Sequence, residues 1–310
     1  SAASDVYKRQ IVMIDTNDSE FLSRIEDKDL LAKVCDAKTA AGMIQPGDIL
    51  GISGFTPCGY PKITMHELAE RMKETPFQVD IWTGASTGSQ IDTELVAVNG
   101  IRDRMPYQTN SNLRKAINAG TINYFDLHLS HVAQQIRAGF FTNVHGERVT
   151  GPDFAVVEVC KIVNDNGKVG LVPTTAIGNS PVFVDTAKKV IVEVNTTQPK
   201  ALDGMADIYM RKNPPFCEPI PIKKTGDRIG TTYIPVDPEK IVAIVPCDLP
   251  DVTRPLAPLD DDAIRMGNNL VDFLKNEVKQ GRLPENLLPL QSGVGLSLIH
   301  ISEPTRRYAI

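Results

Sequence analysis

Cysteine is scarce in this 310-residue chain and follows no pattern. Cys35, Cys58, Cys160, Cys217 and Cys247 are odd in number and far apart, with no CxxC pair. That excludes a disulfide scaffold and argues for reduced thiols in a cytosolic protein. An excess of basic charge is also missing. The net charge is -5, which excludes nonspecific nucleic-acid binding through a basic face. No apolar run approaches the roughly 20 residues of a membrane-spanning helix. His66, His128, His131 and His145 have no Cys, Asp or Glu partner at metal-site spacing. They are read as satisfied surface or core histidines, and no metal is expected.

The two ends lack the logic of the rest. Asp5 to Gln10 can be back-translated as GAT GTG TAT AAG AGA CAG. The reverse complement of that DNA encodes Leu-Ser-Leu-Ile-His-Ile, which is Leu296 to Ile301. An inverted repeat joining both ends is the mark of a translated sequencing adapter. Residues 1–10 and 296–310 are therefore read as adapter-derived tails and set aside. They carry Lys8, Arg9, Arg306 and Arg307 against Asp5 and Glu303, a net +2, so residues 11–295 alone are at -7. Their 285-residue span, at roughly 100–200 residues per domain, allows one or two domains.

Strand and helix patterns alternate along the rest. The stretch from Glu26 to Asp48 reads as one helix with Leu31, Val34 and Cys35 on a stripe, ended by Pro46 and Gly47. "DILGISGF" from Asp48 is a short apolar run of the kind buried in a parallel sheet. An amphipathic helix follows, with Ile63, Leu68 and Met72 inward. Phe77 to Ser86 is a second strand, and "NLRKAINAG" a short helix closed by Gly120. "DFAVVEVCKIV" and "KVGLVPT" flank Asn-Asp-Asn-Gly, a hairpin signal. "KKVIVEVN" and "KIVAIVP" are further buried strands. Between them a proline-rich stretch forbids long regular structure and predicts an extended excursion over the surface or a partner subunit. Asp260 to Gly281 is a helix with Ile264, Val271, Leu274 and Val278 buried. "LLPLQSGVG" then reads as strand into glycine turn. The fold class expected is α/β, an open, mostly parallel sheet with flanking helices, whose ligands collect at the carboxyl ends of the strands.

Several strand ends carry candidate chemistry. In "SGFTPCGYPK", Gly54 and Gly59 allow close backbone approach, and the following helix start favours an anion. A tight connection needing glycine for geometry alone explains the same residues. Lys62 in this motif could meet a phosphate, but a lone lysine is usually only solvated, and it is read so. "TGAS" with Ser86, and "PTTAIGNS", offer amides and small hydroxyls suited to a carboxylate or phosphate, or form plain loops. Glu158 in "VVEVC" and Glu193 in "VIVEVN" sit inside apolar strands, where a buried carboxylate is costly unless paired. Strand alternation offers each an exposed or edge-facing side, and that reading is preferred.

Together "SGFTPCGYPK", "TGAS", "FDLHLSHVAQQ", "IGNSP", "VIVEVNTTQP", "DRIGTTYIPVDPEKIVAIV" and "LLPLQSGVG" resemble, in order, the acetyl-CoA hydrolase/transferase family among the class I CoA-transferases. The resemblance covers almost all of residues 11–295 and is nearest to enzymes that move CoA between acetate, succinate and propionate. It implies an N-terminal CoA-transferase α/β domain over residues 11–248 and the start of a second over 249–295, with the active site between two such halves. It also implies acyl-CoA and a short-chain carboxylate as substrates, no permanently bound cofactor, and a homodimer at full length. A glutamate in a Tyr-Ser/Thr-Glu motif is the nucleophile the resemblance implies, downstream of the point where Leu296 replaces the expected asparagine. Gly293, Val294 and Gly295 match the glycine turn against the CoA thioester, Ser86 a serine near the acyl pocket, and Arg254 an arginine for a carboxylate. Hydrolysis of acetyl-CoA and noncatalytic CoA binding remain alternatives.

Overall fold

The computed structural model describes residues 15–52, 54–55, 58–252 and 260–288. The chain divides into two compact units, Ser1–Val252 and Thr253–Ile310.

The first unit is built on one mixed sheet. Its strands are β1 (Ile49–Ile52), β2 (Val79–Trp82), β3 (Ile101–Met105), β4 (Asn123–Tyr124), β7 (Phe154–Asp165), β8 (Lys168–Pro173), β9 (Lys189–Asn195), β10 (Ile234–Pro235) and β11 (Ile241–Cys247). A separate small hairpin joins β5 (Phe141–Thr142) to β6 (Arg148–Val149). The parallel core runs in the order β4-β3-β2-β1-β7-β9-β11. From β1 the chain winds outward one way through β4, then returns to β7 and winds the other way. The order therefore reverses between β1 and β7, the place where open α/β sheets collect ligands.

Alternation along the strands feeds two apolar layers. Leu50, Ile52, Ile81, Val156 and Ile191 face one side, where they meet α2 (Ala37–Gly42) and α3 (Ile63–Glu74) through Ala40, Ala41, Leu68 and Met72. Ile49, Val157, Val192 and Val194 face the other, packing with Val132 and Ile136 of α5 (Leu129–Arg137) and Phe183 of α6 (Ser180–Thr186). Each such side chain taken fully from water contributes about 1.5–3 kcal/mol. Helices cover both faces, so these strands have no wet side.

Beyond Glu158, β7 leaves β9 and pairs antiparallel with β8. Asn166 and Gly167 at the tip both have positive φ, 53° and 85°. This is the backbone that the Asn-Gly pair favours in a two-residue hairpin.

Two expectations need correction. Residues 26–48 do not form one helix. Asp27 caps a 3-10 segment at Lys28–Lys33, Val34 and Cys35 then extend to pair with Ile244, and Asp36 caps α2. Two aspartates placed to accept backbone N–H bonds start two helices, and edge pairing wins the residues between. The proline-rich excursion holds no long regular structure among the described residues; it contributes the two-residue β10, a three-residue 3-10 turn at Pro238–Lys240, and a bridge between Ile208 and Thr231. In the second unit, α7 (Asp261–Lys279) buries Ala263, Gly267 and Leu274, whereas Ile264 is exposed. Ile264 lies one residue, about 100°, off that stripe. Two further helices among the described residues are α1 (Ser19–Leu22) and α4 (Ser111–Asn118). Among the described residues, no helix is long and apolar enough to cross a membrane.

Candidate functional site

Polar side chains converge where the strand order reverses. Glu158 on β7 and Glu193 on β9 are direct register partners. By alternation both lie on the α3 side, with Phe154, Val156 and Ile191. Both are buried. The expectation that they reach an exposed or edge-facing side is overturned, because the side available to them is covered by α3.

Glu193 answers the start of α3. Its Oε1 accepts from the amides of Lys62 (2.6 Å) and Ile63 (3.2 Å), and its Oε2 from Thr64 (3.0 Å). Lys62 itself makes no side-chain cap. These amides need an acceptor, and the positive end of the helix dipole favours a negative one. The anion at this helix start is the chain's own carboxylate. Gly59, expected in an anion-binding loop, donates its amide to Asp251 Oδ1 at 3.1 Å. Its φ of +62° is in the region that favours glycine. Gly54 is buried at the end of β1, where an added Cβ would meet Tyr60 and the Cys58 carbonyl at 2.8 and 2.9 Å.

Lys62 is not solvated; its relative exposure is 1%. The ammonium pairs with Glu158 and, at 3.0 Å, with Asp251, and donates to the Tyr60 carbonyl at 3.1 Å. Glu158 also accepts from Thr174 Oγ1 (3.0 Å) and Asn195 Nδ2 (2.9 Å). Asp251 Oδ2 accepts from Thr175 Oγ1 (2.8 Å) and Gln198 Nε2 (3.1 Å). Burial works against the charged lysine, yet Glu158, Cys247 and Asp251 hold its pKa above the ordinary lysine value. Burial pushes the Glu158 carboxyl up to about 7, with Lys62 pulling it back. An unpaired carboxylate here would be far more costly.

Cys247 lies against this group. Its sulfur and the Glu158 and Glu193 oxygens fall within 4.8 Å of one another, a set of donor types that can bind a metal. Three features disfavour one. Lys62 already supplies positive charge to Glu158, the α3 amides occupy Glu193, and burial holds the Cys247 thiol well above its ordinary pKa. A metal needs that thiol deprotonated.

The turn after β2 carries Ser86, which is fully buried. Thr83 at its base accepts through its carbonyl from Asn179 Nδ2 at 3.3 Å, so "TGAS" and "IGNS" meet. From below, the buried Arg104 donates to Thr83 Oγ1 at 2.7 Å and pairs with Asp92 at 3.1 Å. Arg254 and the turn Gly293, Val294 and Gly295 lie outside the described residues.

The junction of Lys62, Glu158, Glu193 and Asp251 was missed by sequence reasoning. A signal was present: "VVEV" and "VIVEV" are matching strings on strands that a parallel sheet sets side by side.

A doubly covered, mostly parallel sheet with polar loops gathered at its reversal point defines a doubly wound α/β protein. The family described as acetyl-CoA hydrolase/transferase N-terminal domain matches residues 20–246. The succinyl-CoA:acetate CoA-transferase of Clostridium kluyveri is 47% identical over 274 residues, covering 88% of this chain and 49% of that protein. The propanoyl-CoA:succinate CoA transferase of Escherichia coli is 40% identical, covering 84% and 51%. An acetyl-CoA hydrolase of Saccharomyces cerevisiae is 39% identical, covering 88% and 51%. The crystal structure of RipA from Yersinia pestis shares the fold, with a TM-score of 0.53 at 16% identity over 94% of this chain and 55% of that one. The chain belongs to the acetyl-CoA hydrolase/transferase family and spans about half the length of the curated relatives it matches.

Proposed function

We propose that the intact protein is an acyl-CoA:carboxylate CoA-transferase acting on acetyl-, propionyl- or succinyl-CoA with a short-chain acid as acceptor. The observation that carries this is the 47% identity to a succinyl-CoA:acetate CoA-transferase over 274 residues, 88% of this chain. The proposed reaction is covalent. A glutamate carboxylate oxygen attacks the thioester carbonyl, the C–S bond breaks, and CoA thiolate leaves a mixed anhydride. The thiolate then attacks the glutamyl carbonyl, releasing the first acid as its carboxylate and leaving a glutamyl-CoA thioester. The acceptor carboxylate reverses both steps. Splitting one exchange in this way lowers each barrier.

The nucleophile is assigned to the downstream half; no Tyr-Ser/Thr-Glu string occurs in these 310 residues. The amides of Gly293, Val294 and Gly295 are proposed to hold the developing oxyanion, Ser86 to line the acyl pocket, and Arg254 to meet the carboxylate. Gly54 and Gly59 are proposed to shape the loop above Lys62, since Asp251 takes the Gly59 amide and Glu193 the amides at the start of α3. CoA is a substrate here, not a resident cofactor. The intact protein is proposed to be a homodimer in the cytoplasm; free thiols at all five cysteines support a reducing compartment.

Hydrolysis is the second reading, because relatives at 37–39% identity are named acetyl-CoA hydrolases. CoA release from acetyl-CoA by the intact protein, measured with and without succinate, separates the two. Release that depends on the acceptor supports transfer; equal release without it replaces transfer with hydrolysis. Binding of CoA with no release in either case leaves a noncatalytic binding module. The 310-residue chain alone is expected to show no exchange, and measured exchange would refute the assignment of the nucleophile.

A further inference from the structure

Lys62 is 1% exposed and lies in the middle of a chain of contacts, two arms of which end at the same turn. The first arm runs through carboxylates. Lys62 pairs with Asp251 and Glu158, and these fix Thr175 and Thr174 by their hydroxyls. Four residues on, Asn179 donates to the Thr83 carbonyl. The second arm runs through backbone and ring. The Lys62 ammonium donates to the Tyr60 carbonyl and stands 4.6 Å from the centre of the Tyr60 ring. That ring lies directly over Gly88, where an added Cβ would fall 1.9 Å from it, and its hydroxyl donates to Gln90 Oε1 at 2.8 Å. Both arms therefore converge on residues 83–90, the turn that carries Ser86.

The geometry points to Lys62 as a positioning residue that sets the Thr83–Gly88 turn, and with it the fit of the acyl pocket, through Asp251–Thr175 on one arm and Tyr60 on the other. This rests on the reading of Ser86 as part of that pocket. A buried cation suits the task. The lysine is extended between fixed carboxylates, so it holds three segments at set distances: the loop after β1, the loop after β8, and the chain leaving β11. A neutral side chain of similar length fills the space without holding them. Small displacements at a reacting centre are expensive, about a hundredfold in rate for 1 Å.

The test uses Lys62→Met paired with Glu158→Gln, which removes the cation and its most buried partner together; Asp251 loses the cation but keeps the hydrogen bonds from Thr175 and Gln198. Trp82 is the one tryptophan in the chain, is 4% exposed, and immediately precedes Thr83. In the 310-residue chain the double variant is expected to keep its far-ultraviolet circular dichroism, while acrylamide quenching of Trp82 rises several-fold. In the intact protein the KM for the carboxylate is expected to rise about tenfold, with the KM for acyl-CoA within about twofold. A folded double variant with unchanged quenching and unchanged KM values overturns the inference. Should the double variant fail to fold, Asp251→Asn takes its place, and unchanged quenching there overturns it equally. If the intact wild-type protein exchanges no CoA, the transferase reading falls, while the quenching result still decides the positioning role.

Discussion

Replacing Lys62 by Met alone removes the cation that Glu158 and Asp251 share. The side chains of Lys62 and Glu158 are 1% and 0% exposed, and that of Asp251 is 10%. Water cannot screen what is left behind. Breaking a buried pair by deleting one partner costs about 3–5 kcal/mol. For a unit of this size, 1 kcal/mol moves Tm by roughly 2–4 °C, so the loss at pH 8 is expected near 10 °C. The deficit should also depend on pH in a definite sense. In the wild type the folded-state Glu158 pKa is raised to about 7 from an ordinary 4.5. Below pH 4.5 both folded and unfolded states hold that proton, and the group costs nothing. Between pH 4.5 and 7 the unfolded chain has lost that proton while the folded protein keeps it, so stability falls by about 1.4 kcal/mol per pH unit, about 3 kcal/mol in all, and levels off above pH 7. Without Lys62 the carboxyl climbs further, because the lysine no longer holds it down. The variant therefore loses most at high pH and recovers as pH falls and Glu158 becomes neutral. Thermal unfolding followed by circular dichroism at pH 8 and pH 5.5, for wild type and variant, reads both effects. A deficit below about 1 kcal/mol at pH 8, or one larger at pH 5.5 than at pH 8, would refute the account of a buried pair held by one lysine.

Gly88→Ala should lower stability by about 1–3 kcal/mol, because the new methyl would sit 1.9–2.5 Å from Tyr60 ring atoms and force that ring from its site; an unshifted urea midpoint would show that the ring moves freely. Gly167→Ala tests backbone strain without crowding. Nothing lies within 4 Å of its added Cβ, yet its φ is +85°, so a loss of about 1–2 kcal/mol by the same assay is expected, and no loss would mean the hairpin tip relaxes.

Composition and period alone determined the class of this protein. Short apolar strands alternating with amphipathic helices required an open α/β sheet, and Asn166-Gly167 required a hairpin, because both are local consequences of side-chain spacing and backbone freedom. Local signals also misled where competition was tertiary. Leu31, Val34 and Cys35 have helical spacing, but Val34 and Cys35 were taken by an edge strand from another part of the chain. The candidate site was legible as motifs and not as contacts. That "TGAS" meets "IGNS", or that Lys62 lies between Glu158 and Asp251, follows from strand order, and strand order is set by which crossovers bury both faces of the sheet. Sequence alternation says that Glu158 points away from Val157 and Val159; it does not say whether that direction is water or helix. Only the packed layers decided it, since α3 closes that face and makes a pair of carboxylates and a lysine depend on one another.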